Sequence, residues 1–209
     1  MTTIRTVILA KHPTPGFAKT RLIPALGEAG AAQLAQRMLD AAIVKAIAAE
    51  TGPVELCVTP DADNAVWQNL RRAGDVTITS QGDGDLGVRM ARASQRVIGG
   101  GDAILLIGTD CIELDVAQIR DAAAALTCHD LVLSPTFDGG YALIGLRHFH
   151  AALFSDIAWS TNTVAKTTIA RAAALGLSVH LGPKLHDIDE IDDLRLLPQD
   201  WRDAFGITT

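Results

Sequence analysis

The chain has 209 residues, 48% of them hydrophobic and only 4% aromatic, with a formal net charge of −6. That length suits a single domain spanning residues 1–209 with a substantial core, and the acidic balance excludes general nucleic-acid or anionic-membrane binding. Cys57, Cys111 and Cys128 are widely spaced and form no CxxC pair, which excludes a disulfide scaffold and a zinc site. No apolar run approaches the roughly 20 residues of a membrane span, and residues 1–5 lack the tripartite plan of a signal peptide, so a cytoplasmic location is expected.

An apolar run over 6–10 reads as a buried strand. Directly after it come Lys11-His12-Pro13-Thr14-Pro15-Gly16-Phe17-Ala18-Lys19-Thr20-Arg21-Leu22. A helix follows over 28–50, with Leu34, Met38, Ala42 and Ala46 at helical spacing and Gly52-Pro53 closing it. Next are a strand over 54–59, a helix over 63–73 with Asp63 as its cap, and a strand over 76–79. The glycine-rich stretch Gln81-Gly82-Asp83-Gly84-Asp85-Leu86-Gly87 opens a helix over 86–98. A strand over 103–108 precedes a helix over 115–126 capped by Asp115. The strands over 131–135 and 141–146 are only five residues apart, too close for a crossover helix, so they should pair antiparallel. A helix over 162–175, with Ser160 and Thr161 as capping residues, and a strand over 177–181 follow. His186-Asp187-Ile188-Asp189 then leads into a short helix over 190–197, and residues 207–209 form a loose end. Such alternation predicts a three-layer α/β/α sandwich around a mixed, mostly parallel sheet of seven strands.

Ligands of open α/β sheets bind beyond the carboxyl ends of the strands, and the basic loop has that address. Lys11 and Lys19 can neutralise phosphate oxygens, Arg21 offers a bidentate fork, and Gly16 permits close backbone approach. A solvated Pro-rich connection would read the same way. The spacing of Gly16 and Lys19-Thr20 excludes a Walker A loop. Asp110, after the strand over 103–108, is placed to hold Mg²⁺ or Mn²⁺, or to cap a turn. Asp187 and Asp189 project to one side of an extended segment and could complete an oxygen-ligand set; alternatively Asp189 caps the helix that follows. His186 reads as a polar loop residue, with a metal ligand the alternative. Asp138-Gly139-Gly140-Tyr141 either lines a ligand or makes a hairpin turn. The GxGxxG over 82–87 is not a dinucleotide fingerprint, because Asp83 and Asp85 would repel a pyrophosphate. Gln81 and Asp85 fit a nucleoside or sugar contact, with Asp85 as helix cap the alternative. Trp159 is either core or an acceptor-stacking surface.

Taken together, KxPxPGxxKTRL, QGxGDLGxRM, GTDC, DGGYxLIGL, WST and DID, in this order across residues 11–189, resemble one family. It is the bacterial family of small GT-A-like glycosyltransferases or nucleotide-diphospho-sugar transferases of the radical-SAM/selenodomain-associated transferase 1 type. The family is distantly similar to 2-phospholactate and molybdenum-cofactor guanylyltransferases. The resemblance implies a metal-dependent glycosyltransferase with a nucleotide-sugar donor and a small acceptor. The same residues would serve a nucleotidyltransferase releasing pyrophosphate, or a non-catalytic nucleotide-binding protein. It further implies catalytic roles for Asp110 and Asp138, and phosphate or nucleotide contacts from Lys11, Gly16, Lys19, Arg21, Gln81 and Asp85. Gly139, Gly140, Tyr141 and Trp159 would lie on the sugar or acceptor side, with Mg²⁺ or Mn²⁺ on Asp110, Asp187 and Asp189. The chain departs from the family pattern twice: Asp110 stands without an Asp-x-Asp, and Ile112-Glu113 replaces the usual proline, which should alter the loop that aims Asp110.

Overall fold

The computed structural model describes residues 3–68 and 76–207. Its elements are β1 (Ile4–Lys11), α1 (Ile23–Ala48), β2 (Val54–Thr59), β3 (Thr77–Ser80), α2 (Leu86–Gly99) and β4 (Ala103–Ile107). They continue as α3 (Val116–Ala125), β5 (Leu131–Pro135), β6 (Tyr141–Leu146), α4 (Val164–Ala174), β7 (Val179–Leu181) and α5 (Gln199–Ala204). The strands form one seven-stranded sheet in the order β3-β2-β1-β4-β6-β5-β7. All neighbours are parallel except at β6, which runs antiparallel to both β4 and β5. The antiparallel pairing expected of β5 and β6 is present, and it places the returning strand between β4 and β5.

Strand periodicity builds the two faces. In β4, Ala103, Leu105 and Ile107 face the layer of α1 and α3, where they meet Leu39, Ile43, Ile119 and Ala122. Ile104 and Leu106 face the layer of α2 and α4, with Met90, Ala93, Val97 and Ala172. A strand buried on both faces needs this unbroken apolar run. A third cluster joins Leu22, Leu34 and Met38 to Ile188, Leu194 and Leu197. It ties the start of α1 to the chain that follows β7, and so forms the floor beneath the functional edge.

Several local expectations change. Gly27 (φ 69°) breaks the first turn of α1 from the rest, so the regular helix starts at Glu28 as the periodicity implies. The helix read over 63–73 falls partly on residues 69–75, outside the described residues; what is described is a 3-10 turn, Ala65–Trp67, capped by Asn64 rather than Asp63. Asp115 caps α3 through a capping box with Gln118. Ser160 and Thr161 do not cap α4: Ser160 has φ 62° and the Thr161 hydroxyl donates to the Ala158 carbonyl at 2.7 Å. The 190–197 segment is a 3-10 helix, Ile191–Leu196, capped by Glu190 and Asp193, which leaves the Asp189 side chain available for other work. No helix among the described residues is long and apolar enough to cross a membrane.

The β5–β6 turn is locked onto α4. Ala165 N donates to Gly139 O at 2.9 Å. Gly139 has φ 95°, and a Cβ there would lie 2.2 Å from Asn162 O. Gly139→Ala should therefore cost about 2 kcal/mol or more, read as a lower urea midpoint with an unchanged m-value. A variant as stable as the parent would contradict this packing.

Candidate functional site

Because β1 to β5 and β7 run the same way, the chain leaves them all at one edge, and the turn into β6 lies there too. The basic loop after β1, Asp110 after β4, the 136–140 turn after β5 and the 182–190 segment after β7 therefore gather beyond the carboxyl ends, where α/β sheets bind ligands.

At the centre is Lys19. Its ammonium lies 2.7 Å from Asp110 Oδ1 and 2.7 Å from Asp189 Oδ1, and donates to Ile188 O at 2.6 Å. These three acceptors use all three N–H donors of an ammonium. The Lys19 side chain is 8% exposed, against 49% for Asp110 and 40% for Asp189. Burial works against the lysine's charge, but the two carboxylates more than offset it, and its pKa lies above the ordinary value. The phosphate contact expected of Lys19 is thus replaced in this structure by a clamp on two carboxylates. Ile188 N donates to Asp110 O at 2.9 Å, so backbone and side chain hold the same two loops together.

Ile188 is fully buried between Asp187 and Asp189, which turns both acids toward the edge. Asp187 is half-buried and, unlike Asp189, meets no cation among the described residues. Burial, reinforced by Asp138, Asp189 and Asp110, pushes its pKa up to about 6. Asp138 is exposed but oriented: its Oδ1 accepts from the Thr136 hydroxyl and, at 2.9 Å, from Gly140 N. Four carboxylates thus act on one another with a single ammonium among them. No three His, Cys, Asp or Glu side chains among the described residues already stand at metal-ligand spacing; Lys19 occupies the space between Asp110 and Asp189.

The basic loop is compact. Thr14 O accepts from Phe17 N and Ala18 N, each at 3.0 Å, and Lys11 Nζ donates to Phe17 O at 2.9 Å, closing the loop across its mouth. Lys11 keeps two donors, and Gly16 (φ 78°) sits against the Glu28 carboxylate. Arg21 pairs with Glu190 at 3.1 Å, both about two-thirds exposed, a contact that water screens and a stronger anion can replace.

Four other side chains expected at the ligand make contacts within the protein, Asp85 and Trp159 in the way their alternatives foresaw. Gln81 is buried and gives its amide N–H groups to Ala10 O and Cys57 O, each at 3.0 Å, bracing β1 against β2 instead of meeting a nucleotide. Asp85 caps α2 by accepting from Val88 N at 2.9 Å. The Tyr141 hydroxyl turns inward to within 3.8 Å of Met90 Sδ, with its pKa raised by burial. Trp159 is half-buried in the cluster on the α2/α4 face, against Gly87.

Other residues shape the site, among them Arg89 and Arg92, which the sequence did not single out. Arg89 and Arg92 bond Gly84 O, Asp83 O and Gln81, which fixes the 81–84 loop. Glu113, the departure from the family's proline, accepts from His186 N at 2.8 Å and from its imidazole Nδ1 at 3.1 Å. His186 stacks on Phe137 with centroids 4.1 Å apart. The Ile112-Glu113 change therefore pins the β4 loop to the 182–190 segment. Its only signal was the missing proline. Burial pushes the Cys111 thiol up to about 11, which disfavours its thiolate at neutral pH.

Sheet order and loop positions define the fold of a nucleotide-diphospho-sugar transferase. A protein of Desulfovibrio desulfuricans G20 described as a nucleotide-diphospho-sugar transferase is 28% identical, superposes with a TM-score of 0.85, and aligns over 96% of this chain and 88% of its own. The 4-diphosphocytidyl-2C-methyl-D-erythritol synthase of Anaerococcus prevotii DSM 20548 shares the fold at 10% identity and a TM-score of 0.59, over 93% of this chain and 94% of its own. A CMP:2-keto-3-deoxy-manno-octonic acid synthetase complexed with CTP does so at 10% identity and 0.58, over 93% and 96%. No curated protein matches the chain in sequence. A family model matches residues 38–161, more than half of the chain, and the chain belongs to that family, DUF2064, described as an uncharacterized protein conserved in bacteria.

The raised pKa of Asp187 has a consequence for stability. Its ionised form is disfavoured in the folded state, so the cost is full above pH about 6 and gone below the unfolded value of 3.8. In metal-free protein, Asp187→Asn should raise Tm by about 2–4 °C at pH 8, about 1 kcal/mol for a half-solvated group, and by only a small fraction of that at pH 4, just above the unfolded value. An equal gain at both pH values would contradict the electrostatic origin.

Proposed function

We propose that the protein is a metal-dependent transferase acting on a nucleotide diphosphate linkage, a glycosyltransferase that moves a sugar from a nucleotide-sugar donor to a small acceptor. The observation that carries this reading is the convergence, at one sheet edge, of a basic loop with four carboxylates, two of which share the Lys19 ammonium. The likeness to the D. desulfuricans protein supports the nucleotide-sugar assignment.

A divalent cation fits the donor set, because all four groups are hard oxygen donors and Lys19 already serves as a stand-in cation between two of them. Asp110, Asp187 and Asp189 would hold Mg²⁺ or Mn²⁺. When bound, the ion neutralises the charge that develops on the leaving diphosphate. Arg21 would exchange its screened pairing with Glu190 for a diphosphate oxygen, and Lys11 would offer its two remaining donors beside it. Asp138 is the candidate base. Thr136 and Gly140 fix its Oδ1, so Oδ2 is oriented to take the proton of an acceptor hydroxyl as the sugar is transferred. Gly139 and Gly140 would keep the turn low enough for an acceptor to approach.

A specific feature favours a second reading. Asp110 follows β4 alone, without the Asp-x-Asp of many glycosyltransferases, and would equally suit a nucleotidyltransferase that joins a nucleoside triphosphate to a small phosphate or alcohol. The products separate the two. With Mn²⁺ and a panel of nucleotide sugars, the first reading expects nucleoside diphosphate and no pyrophosphate, and Asp138→Asn should lower kcat by about 100-fold with KM little changed. Pyrophosphate released from a triphosphate would transfer the assignment to the second. Nucleotide binding without turnover of any donor would contradict both.

A further inference from the structure

We infer that Lys19 is an internal counter-cation, and that a divalent metal ion enters this site by displacing the Lys19 ammonium from Asp110 and Asp189. The inference rests on the metal-site reading above and adds a competitor that the reading did not contain.

The lysine is held as a ligand would be. Its three donors meet two carboxylates and one carbonyl at 2.6–2.7 Å, although each carboxylate by itself is open to solvent to 40% or more. Its backbone is left-handed, with φ 46° and ψ 47°, a conformation that a residue with a Cβ keeps only where its surroundings dictate it. Leu22, on Lys19's own segment, and Ile188, beside Asp189, are both fully buried. Those segments are therefore anchored from below, and the ammonium can leave by rotating its four-carbon stem without moving the chain.

Charge supplies the driving force. With Lys19 in place, Asp110 and Asp189 are satisfied while Asp187, half-buried, has no cation among the described residues. A dication bridging Asp187 to either neighbour would stand close to the ammonium, and like charges so near, in a partly dry site, repel strongly. Lys19 and the metal therefore exclude each other. The released ammonium needs an anion. A substrate phosphate arriving at the adjacent basic loop offers one, which gives Lys19 its phosphate contact only in the loaded state.

Two measurements on the full-length protein test this. In the first, Mn²⁺ alone is titrated calorimetrically into metal-free parent, Lys19→Met and Lys19→Gln proteins. Without the competitor, Mn²⁺ should bind at least about tenfold tighter, within the usual range of coupling between two ligands of one site. In the second, the unsubstituted protein is treated with an amine-acylating reagent with and without saturating Mn²⁺, and modification of Lys19 is read by mass spectrometry. Lys19 should be protected without the metal and modified several-fold faster with it. Equal or weaker Mn²⁺ binding by the variants, or labelling that ignores bound Mn²⁺, overturns the displacement while the metal site stands. No Mn²⁺ binding by any of the three proteins overturns the metal-site reading, and the displacement with it.

Discussion

The ammonium of Lys19, lodged between Asp110 and Asp189, is the contact on which the geometry of this edge depends. It joins three segments far apart in the sequence: the loop after β1, the end of β4 and the tail beyond β7. Parallel strand order delivers them to one edge, but it does not fix the distances between them. The lysine does so, with the Ile188–Asp110 backbone bond beside it and the Leu22–Ile188 cluster beneath. Held by two carboxylates and the Ile188 carbonyl, Lys19 keeps the edge in register before any substrate arrives.

This arrangement carries a strain of its own. Asp187 is half-buried among Asp138, Asp189 and Asp110, and burial together with those carboxylates raises its pKa. Proteins place such unfavourable groups where binding will relieve them. Asp138 is oriented by a different device, a turn whose glycine is pressed against Asn162, so that its position is inherited from α4 and not from the charge cluster. The electrostatic and steric parts of the edge are therefore built independently and can be perturbed one at a time.

Much of the fold was legible. Strands buried on both faces leave unbroken apolar runs, and the bounds of β2, β5 and β6 follow directly from them. The five-residue gap before β6 excluded a crossover and so announced the mixed sheet. The approach of Lys19 to the two acids was not legible, since a local reading sees a basic loop and assigns it to an anion outside the protein. Gln81 and Asp85 read as nucleoside contacts for the same reason, since glycine-rich loops at this address often bind ligands; here two carbonyls hold Gln81, and Asp85 makes the helix cap that was its alternative. Tyr141 was a matter of strand phase, one residue inside β6 and turned toward Met90. Glu113 showed only as an absent proline, and its partner His186 is far along the chain.

If the carboxylates gathered around Lys19 form the proposed metal-diphosphate site, the anomalous scattering of Mn²⁺ in crystals grown with a nucleoside diphosphate shows it most directly. One peak is expected, bounded by Asp110, Asp187 and Asp189, with the diphosphate on the Lys11 and Arg21 side and Lys19 Nζ moved off the carboxylates. Manganese bound elsewhere, or a diphosphate seated at this edge with no metal and Lys19 still between Asp110 and Asp189, would contradict the proposal.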